Sequence, residues 1–430
     1  MSQSTATSPV ASGVKRGNGV RPDAQQLAAL GDIGNRLLQL VSQLKKINPE
    51  RDFVFDQILL ALLTREHTLI YGPTGTGKTY LAQMLFGSFE GATVFQYAMS
   101  KQTTEAHLYG PINVKLLRED GHMRYNTAGT IVEADFAEMD EFLDGPVPLL
   151  RALLGIFHER QFKKGAQQTT VPLHTAVACT NIDPELAVKQ NPELAAVVDR
   201  FLFQARVDYL TDGAARRRMY SSYLAGEQPL VSVTLQELRA ISNVVVEANQ
   251  ITDADFIATY DQVIQDLRKA YAGKLTISDR KACKMLGIVE ARALLLGRFD
   301  VHPEDIVGIR YALFHDDKEF PRFDEVTQPV IQKAIEGMQT DIDKTVRELI
   351  EQLSKDLPPT PTDASDGALL VQTRRQLEQV MKSVKETVPK LASTFDQRQA
   401  LLDKIAKRME TVDHLIHDPA GVPPESGGGA

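Results

Sequence analysis

One octapeptide constrains the fold of this chain more than any other segment. It consists of Gly72, Pro73, Thr74, Gly75, Thr76, Gly77, Lys78 and Thr79. It fits the pattern G-x-x-x-x-G-K-[ST] and lies between a short apolar strand, predicted at 67–71, and a helix, predicted at 80–86. Glycines let backbone N–H groups turn inward, and the start of the following helix adds a positive dipole. The segment therefore predicts a site for the phosphates of ATP, with Lys78 at the β- and γ-phosphates, Thr79 on Mg²⁺ and Tyr80 beside them.

Polar residues at the ends of two further predicted strands (polar tips) complete the predicted site. Asp140 ends a strand predicted at 134–140 and Glu141 follows it. We expect Asp140 to bind Mg²⁺ through water and Glu141 to polarise the attacking water. Asn181 ends a second apolar strand, predicted at 174–180. It is either a group that holds the attacking water or a turn-forming residue. The strand before Asp140 carries two acidic residues, which predicts that one of its faces is less buried.

The remaining pattern predicts an α/β fold. Further strands are expected at 92–98 and 201–209, and helical segments separate the strands, as in a parallel sheet with helices on both faces. Residues 113–130 interrupt the alternation and are predicted to form a projecting helix and hairpin. From about 237 to 314 the strand signals disappear, and a small all-α domain is expected.

Two long helical patterns follow. The first is predicted to end at Pro358, Pro359 and Pro361, and the second contains Pro389, which should kink or interrupt it. We interpret them as an antiparallel helical hairpin, serving either as a packing arm or as a partner-docking arm. The predicted organisation is a disordered tail at 1–24, a nucleotide-binding α/β domain at 25–235, an all-α lid at 236–322, the hairpin arm at 323–418 and a flexible tail at 419–430.

Composition excludes several classes of protein. The net charge is −8, which argues against binding to nucleic acid through overall charge. The two cysteines, Cys179 and Cys283, are too few for a disulfide framework or a zinc site, and we interpret both as buried thiols. No apolar run of about 18 residues and no signal sequence is apparent, so we predict a cytoplasmic protein without a membrane span.

Taken in order along the chain, these motifs resemble those of AAA+ ATPases, and most closely the MoxR family with its RavA-like subgroup. The resemblance covers about residues 26–320. It rests on the octapeptide and on further segments: Leu108-Tyr-Gly-Pro-Ile112, Asp140-Glu141, His158-Glu-Arg-Gln-Phe162, Asp199-Arg200-Phe201, Ser278-Asp-Arg-Lys281 and Val301-His-Pro-Glu-Asp305.

The resemblance implies roles for several residues. Asn181 would be sensor 1, Arg280 would be sensor 2 and couple lid movement to the nucleotide, and Arg200 would be an arginine finger supplied to the neighbouring subunit's ATP. Arg206 is a rival for the finger. The same resemblance implies a homo-hexameric ring, a von Willebrand factor A (VWA) domain protein as partner, and a helix-2 insert at 113–130. It fades beyond about residue 326, where RavA-like proteins carry a distinct inserted domain.

Three functions remain open from the sequence. The leading one is a chaperone-like ATPase that remodels or activates a protein partner, although the client is not identified by the sequence. The second is a nucleic-acid-associated motor of the helix-2-insert clade, against which the acidic charge counts. The third is a nucleotide-gated scaffold with negligible turnover, which the intact set of Lys78, Asp140, Glu141 and Asn181 argues against.

Overall fold

A computed structural model describes residues 21–165, 167–248, 250–359, 367–387 and 395–417. Residues 1–20 of the tail predicted at 1–24, the tail predicted at 419–430, and the predicted breaks at Pro361 and Pro389 lie outside the described residues. The strands are β1 (Thr68–Tyr71), β2 (Phe89–Glu90), β3 (Val94–Ala98), β4 (Phe136–Asp140), β5 (Gln161–Lys164), β6 (Gln167–Thr170), β7 (Thr175–Thr180), β8 (Phe203–Arg206) and β9 (Val233–Thr234).

Helices occupy most of the rest of the described chain. They are α1 (Ala24–Ile47), α2 (Asp52–Thr64), α3 (Lys78–Phe86), α4 (Glu105–Tyr109), α5 (Val114–Asp120), α6 (Val147–Leu154), α7 (Pro184–Gln190), α8 (Ala195–Val198), α9 (Gly213–Ala225), α10 (Leu235–Glu247), α11 (Ala254–Ala270), α12 (Asp279–Leu295), α13 (Arg310–Leu313), α14 (Phe320–Lys355), α15 (Gly367–Thr387) and α16 (Phe395–His417).

The main sheet of the described chain has five strands in the order β3-β4-β7-β1-β8, and every pairing within it is parallel. All four residues of β1 and all six of β7 are buried, because helices cover both faces. The predicted parallel α/β fold is confirmed. In a parallel sheet every strand ends at the same edge, so the polar tips after β1, β7 and β4 lie side by side.

The insertion differs from its prediction. Residues 114–120 form α5 as expected, but the expected hairpin is reduced to a single antiparallel bridge between Ile112 and Tyr125. The two-stranded hairpin lies later, where β5 and β6 pair antiparallel. Its sequence is mostly polar and lacks the apolar alternation that marks a half-buried strand, so the pattern gave little indication of it.

The chain divides into two compact units. The first ends at Gln332 and the second begins at Lys333. The first contains the sheet and the helical region α10–α13. The second has a core of its own from the end of α14, α15 and α16, in which Leu377, Val384, Ile405 and Val412 are almost fully buried. Long C-terminal helices are thus confirmed, and the second long pattern forms two of them.

Helices α15 and α16 run antiparallel. Arg374, near the start of α15, pairs at 2.6 Å with Asp413, near the end of α16.

The two cysteines differ in burial. Cys179 on β7 is buried as predicted, but Cys283 on α12 is exposed, so the prediction of a buried thiol there was wrong. Met285, two residues further on, is fully buried, whereas Cys283 lies on the outer side of the same helix.

Candidate nucleotide site

The order of the strands determines which polar tips meet. Strand β7 lies between β1 and β4, so the residue after β7 must lie between the loop after β1 and the pair that ends β4. The structure shows this arrangement directly. Asn181 contacts Lys78 on one side and Glu141 on the other. The sheet therefore brings together at one edge the groups that the sequence predicted separately.

The loop between β1 and α3 has the backbone of a phosphate-binding loop. Gly72 has φ +145°, and a Cβ there would lie 2.0 Å from the Val207 carbonyl oxygen, so a side chain is excluded. Gly75 and Gly77 both have φ +80°, and a Cβ added at either would meet nothing within 4 Å. The first glycine fits the close approach to β8, and the other two keep the concave side of the loop open.

Lys78 is the buried cation of this loop. Its Nζ donates to the carbonyl oxygens of Gly72 at 3.0 Å and Pro73 at 2.9 Å, and to Asn181 Oδ1 at 2.7 Å. All three acceptors are neutral, and burial lowers the pKa of Lys78. Since a buried ammonium is poorly stabilised by neutral oxygens alone, the position suits an anion such as a phosphate.

Asn181 connects this lysine to a carboxylate. Its Nδ2 donates to both carboxylate oxygens of Glu141, at 2.6 and 2.8 Å, while its Oδ1 accepts from Lys78. Glu141 has φ +49°, an uncommon conformation for a residue with a side chain, and such strain is frequent at functional sites. Burial, followed by the neighbouring carboxylates of Asp140 and Asp144, raises the pKa of Glu141.

A second pair of oxygens lies beside this chain of contacts. Thr79 Oγ1 donates to Asp140 Oδ2 at 3.0 Å, which brings a hydroxyl and a carboxylate oxygen together. Mg²⁺ commonly takes one or two protein oxygens and completes its shell with water and phosphate oxygens. The described residues contain no cluster of three or more His, Cys, Asp or Glu side chains that could hold a metal unaided. The pair therefore fits a magnesium ion that arrives with a nucleotide.

The two acidic residues that precede Asp140 in the predicted strand, Asp135 just before β4 and Glu138 within it, are not exposed, contrary to the sequence prediction. Glu138 is 2% exposed and accepts a hydrogen bond from Gln83 on α3 at 3.0 Å. Asp135 is 8% exposed and pairs with Arg239 at 2.6 Å. Each charge is buried because a polar partner from another element meets it, and sequence pattern does not reveal such partners.

Two tyrosines flank the loop. Tyr80, predicted next to the phosphates, lies on the first turn of α3 and is 45% exposed. Tyr209 was not predicted, yet its hydroxyl donates to the Thr74 carbonyl oxygen at 2.9 Å and its ring is largely exposed. The contact joins residues far apart in sequence, so only the sheet order could have indicated it.

Arg200 lies at the opposite edge of the sheet, the amino edge, where the parallel strands begin. It precedes β8, and the parallel register pairs Phe203, the first residue of β8, with Thr68, the first of β1. The phosphate-binding loop (the P-loop, residues 72–79) begins only after Tyr71, which is about 10 Å further along the strand. Arg280 lies with Arg200, since its Nη1 is 3.9 Å from the Asp199 carboxylate. Neither arginine is brought to the P-loop of its own chain.

Arg206 lies at the other end of the same strand. It is the register partner of Tyr71, and its Nε pairs with the Asp208 carboxylate at 3.0 Å. Arg206 is therefore on the same edge as the P-loop, with its charge compensated locally, whereas Arg200 is on the edge away from it.

Known proteins share this architecture. A crystal structure of a proposed ATPase from Cytophaga hutchinsonii superposes with a TM-score of 0.52 at 19% identity, over 72% of this chain and 96% of that one. A family model described as an AAA lid domain matches residues 259–326. With the parallel sheet, the P-loop and the helical lid, the protein is of the AAA+ P-loop ATPase class.

The family follows from the α/β part of the chain. Residues 35–243 match a family model described as the MoxR domain in the MoxR-vWA-beta-propeller ternary systems. The chain is 26% identical to Chaperone MoxR1 of Mycobacterium tuberculosis over 64% of this chain and 73% of that protein. It is 27% identical to an uncharacterized protein of Methanocaldococcus jannaschii over 76% and 82% of the respective chains. The matched part of the chain therefore belongs to the MoxR family of AAA+ ATPases.

Across the residues that the structure describes, none of the helices combines the length and the apolar composition of a membrane span.

Proposed function

We propose that the protein hydrolyses ATP with Mg²⁺ and uses the energy to remodel or activate a protein partner. The observation that carries this proposal is the continuous contact from Lys78 through Asn181 to Glu141, with the Thr79 and Asp140 oxygens beside it. Family membership supports nucleotide binding, and the geometry supports turnover, since a carboxylate lies next to the predicted position of the phosphates.

Each residue has a distinct part in the proposed reaction. Backbone N–H groups of the loop and Lys78 bind the phosphates, and Thr79 and Asp140 hold the metal. Glu141 accepts a proton from the attacking water, and Asn181 orients that water once its contacts with Lys78 and Glu141 give way to the nucleotide. When bound, Mg²⁺ neutralises charge on the β- and γ-phosphates.

The opposite placement of Arg200 supports a site shared between subunits. A guanidinium at the amino edge cannot reach the triphosphate of its own chain, but it can reach one bound by a neighbour that packs against that edge. Such arginines typically contribute about 10³–10⁵ in rate. We therefore propose a closed ring, a hexamer by family resemblance, with Arg200 rather than Arg206 as the finger and Arg280 acting beside it.

The first experiment separates binding from turnover. Glu141→Gln should bind ATP normally and lose hydrolysis by about 10²–10⁴-fold, because the amide cannot accept the proton. Glu247→Gln, at the exposed end of α10, serves as the matched control and should keep wild-type turnover. Unchanged turnover in Glu141→Gln would remove this residue from its assigned role, and negligible turnover in the wild type would favour the scaffold instead.

The partner is proposed from the description of the matching family model, which places such MoxR domains in systems with a VWA protein and a β-propeller. Glu141→Gln loaded with ATP should capture a VWA-domain protein, and Lys78→Ala, which lacks the phosphate-binding cation, should not. Mass spectrometry identifies what is bound. Equal capture by both baits would contradict nucleotide-dependent binding, and stimulation of turnover by single-stranded DNA would favour a nucleic-acid motor.

The C-terminal unit is our candidate for the partner or adaptor contact. Thr327 and Ile331 are buried and belong to the first compact unit, so a deletion that tests the arm should begin at Lys333 rather than at the predicted boundary. Removing residues 333–430 should leave ATP turnover intact and abolish partner binding. Loss of turnover would show instead that the arm maintains the ring. The domain boundaries, the RavA-like subgroup and a cytoplasmic location stay predictions.

A further inference from the structure

His158 lies where an irregular helical turn meets the two arginines at the amino edge of the sheet. Residues Gly155–Glu159 form a π-helical turn after α6, closed by a hydrogen bond from the Arg160 N–H to the Gly155 carbonyl oxygen. In this turn the His158 ring contacts Arg280 through Nε2, and the same nitrogen is 3.5 Å from Arg200 Nη1. π-Helical turns are rare and frequent at functional sites.

The partners determine the state of the ring. A guanidinium can only donate hydrogen bonds, so Nε2 of His158 must accept, and the ring proton must be on Nδ1. A protonated ring would have no acceptor and would add a third positive charge. Burial, followed by the charges of Lys284, Arg200, Arg280 and Arg160, lowers the pKa of His158 to about 3, so the neutral form prevails near neutral pH.

The two arginines need such an acceptor because they repel each other. Burial and the neighbouring Arg280 lower the pKa of Arg200, and its Nε is buried without a hydrogen-bond partner among the described residues. The nearby carboxylate of Asp199 is 3.9 Å from Arg280 and largely exposed. A buried donor without an acceptor is costly and uncommon in folded proteins, and a catalytic role is one of the recognised reasons for it. His158 thus supplies a neutral acceptor at the point where both guanidiniums converge.

We propose that His158 is a positioning residue that holds Arg200 and Arg280 together as a pair for the triphosphate bound by the next copy of the chain. This inference rests on the proposed function, in which Arg200 completes the site of a neighbour. His158 itself need not touch the nucleotide. Its effect is to fix the distance and orientation of two cations that would otherwise separate.

Three substitutions in the full chain test the role of the acceptor. His158→Ala should lower kcat on the order of 10–100-fold, as expected when catalytic groups lose their positions. The KM for ATP should stay unchanged, because the loop and the Lys78 contacts that bind the nucleotide are intact in every copy. His158→Met fills a similar space but offers only a thioether, which is a weak acceptor, and it should show the same loss. It keeps the test valid if the smaller alanine unfolds the turn. His158→Gln offers a neutral amide oxygen and should keep most of the activity.

Mixing subunits distinguishes positioning from a merely structural role. Lys78→Ala copies have an inactive P-loop but intact His158, Arg200 and Arg280. Added in excess to His158→Met copies, they should restore turnover, because the intact P-loops then lie beside intact arginine pairs. In a separate mixture, Arg200→Ala copies replace the His158→Met copies. Recovery of turnover there tests whether the site is shared between subunits at all.

The outcomes separate this inference from the function on which it rests. Recovery of Arg200→Ala but not of His158→Met would overturn the positioning role alone, and so would a loss in His158→Gln as large as in His158→Met. If Arg200→Ala does not recover either, the shared site is wrong and the inference falls with it. Recovery of both, together with retained activity in His158→Gln, is the expected result.

Discussion

Acid should destabilise the first compact unit through His174, and the size of the effect follows from the surroundings of the ring. His174 immediately precedes β7, is 2% exposed, and contacts the Leu62 carbonyl oxygen through Nε2 at 2.7 Å. A carbonyl only accepts, so Nε2 carries the proton of a neutral ring. Burial, followed by the charges of Arg65, Arg160 and Arg239, lowers the pKa of His174 from 6.5 to about 3.

The sign follows from proton uptake. Between pH 6.5 and about 3 the unfolded chain binds a proton at this residue and the folded chain does not, so stability falls as the pH falls through that window. Above the window the contribution is nearly constant, and below it no further loss occurs. The cost at one pH unit below the unfolded pKa is RT ln 11, or about 1.4 kcal/mol of the free energy of unfolding.

The comparison is between the wild type and His174→Gln, which keeps an N–H donor for Leu62 but does not titrate. Urea unfolding followed by circular dichroism, suited to a chain without tryptophan, gives both free energies at about pH 7.5 and pH 5.5. The acid-induced loss should be about 1.4 kcal/mol smaller in the variant. His122→Gln, at an exposed position, should show the wild-type loss. Equal losses in His174→Gln and the wild type would refute the reasoning.

Three more predictions concern the site and the C-terminal unit. Asn181→Ala breaks the connection between the lysine and the glutamate, and it should lower kcat on the order of 10²-fold while ATP binding, measured by a fluorescent analogue, stays within a few-fold. Gly72→Ala places a Cβ against a carbonyl oxygen and should cost about 1–3 kcal/mol and most of the nucleotide affinity, whereas Gly75→Ala, with open space around it, should cost less stability in urea unfolding. Ile405→Ala should destabilise the second unit by about 2–5 kcal/mol in the same assay, and unchanged ATP turnover would show that this core is independent of the site.

Local pattern was sufficient for the sheet and the P-loop. Strand β1 was predicted to within one residue. The predictions for β4 and β7 began two residues and one residue too early but had the correct carboxyl ends, because an apolar run followed by a polar residue is encoded within a few positions. Since the class of fold fixes the direction of parallel strands, the meeting of Lys78, Asp140, Glu141 and Asn181 at one edge also followed.

Long-range partners were beyond the sequence. The burial of Glu138 depends on Gln83, which lies on another element, and the contact of Tyr209 with the P-loop depends on the order of the strands. The same holds for His158, whose two arginines come from segments 42 and 122 residues away. Periodicity reports which face of an element is apolar, and it carries no information about which polar group another element will bring.

The separation of the P-loop and Arg200 on opposite edges of one sheet has a consequence for how activity depends on assembly. A contact between unlike edges joins subunits head to tail, so an open row always leaves one unpaired P-loop at one end and one unused arginine at the other. With the proposed shared site, a pair of subunits would complete one site of two, and only closure into a ring would complete all of them. On dilution, specific activity should therefore fall more steeply than the fraction of subunits that are still in contact. Removal of one subunit should also inactivate a neighbour that is itself intact, because the P-loop of that neighbour loses its arginine.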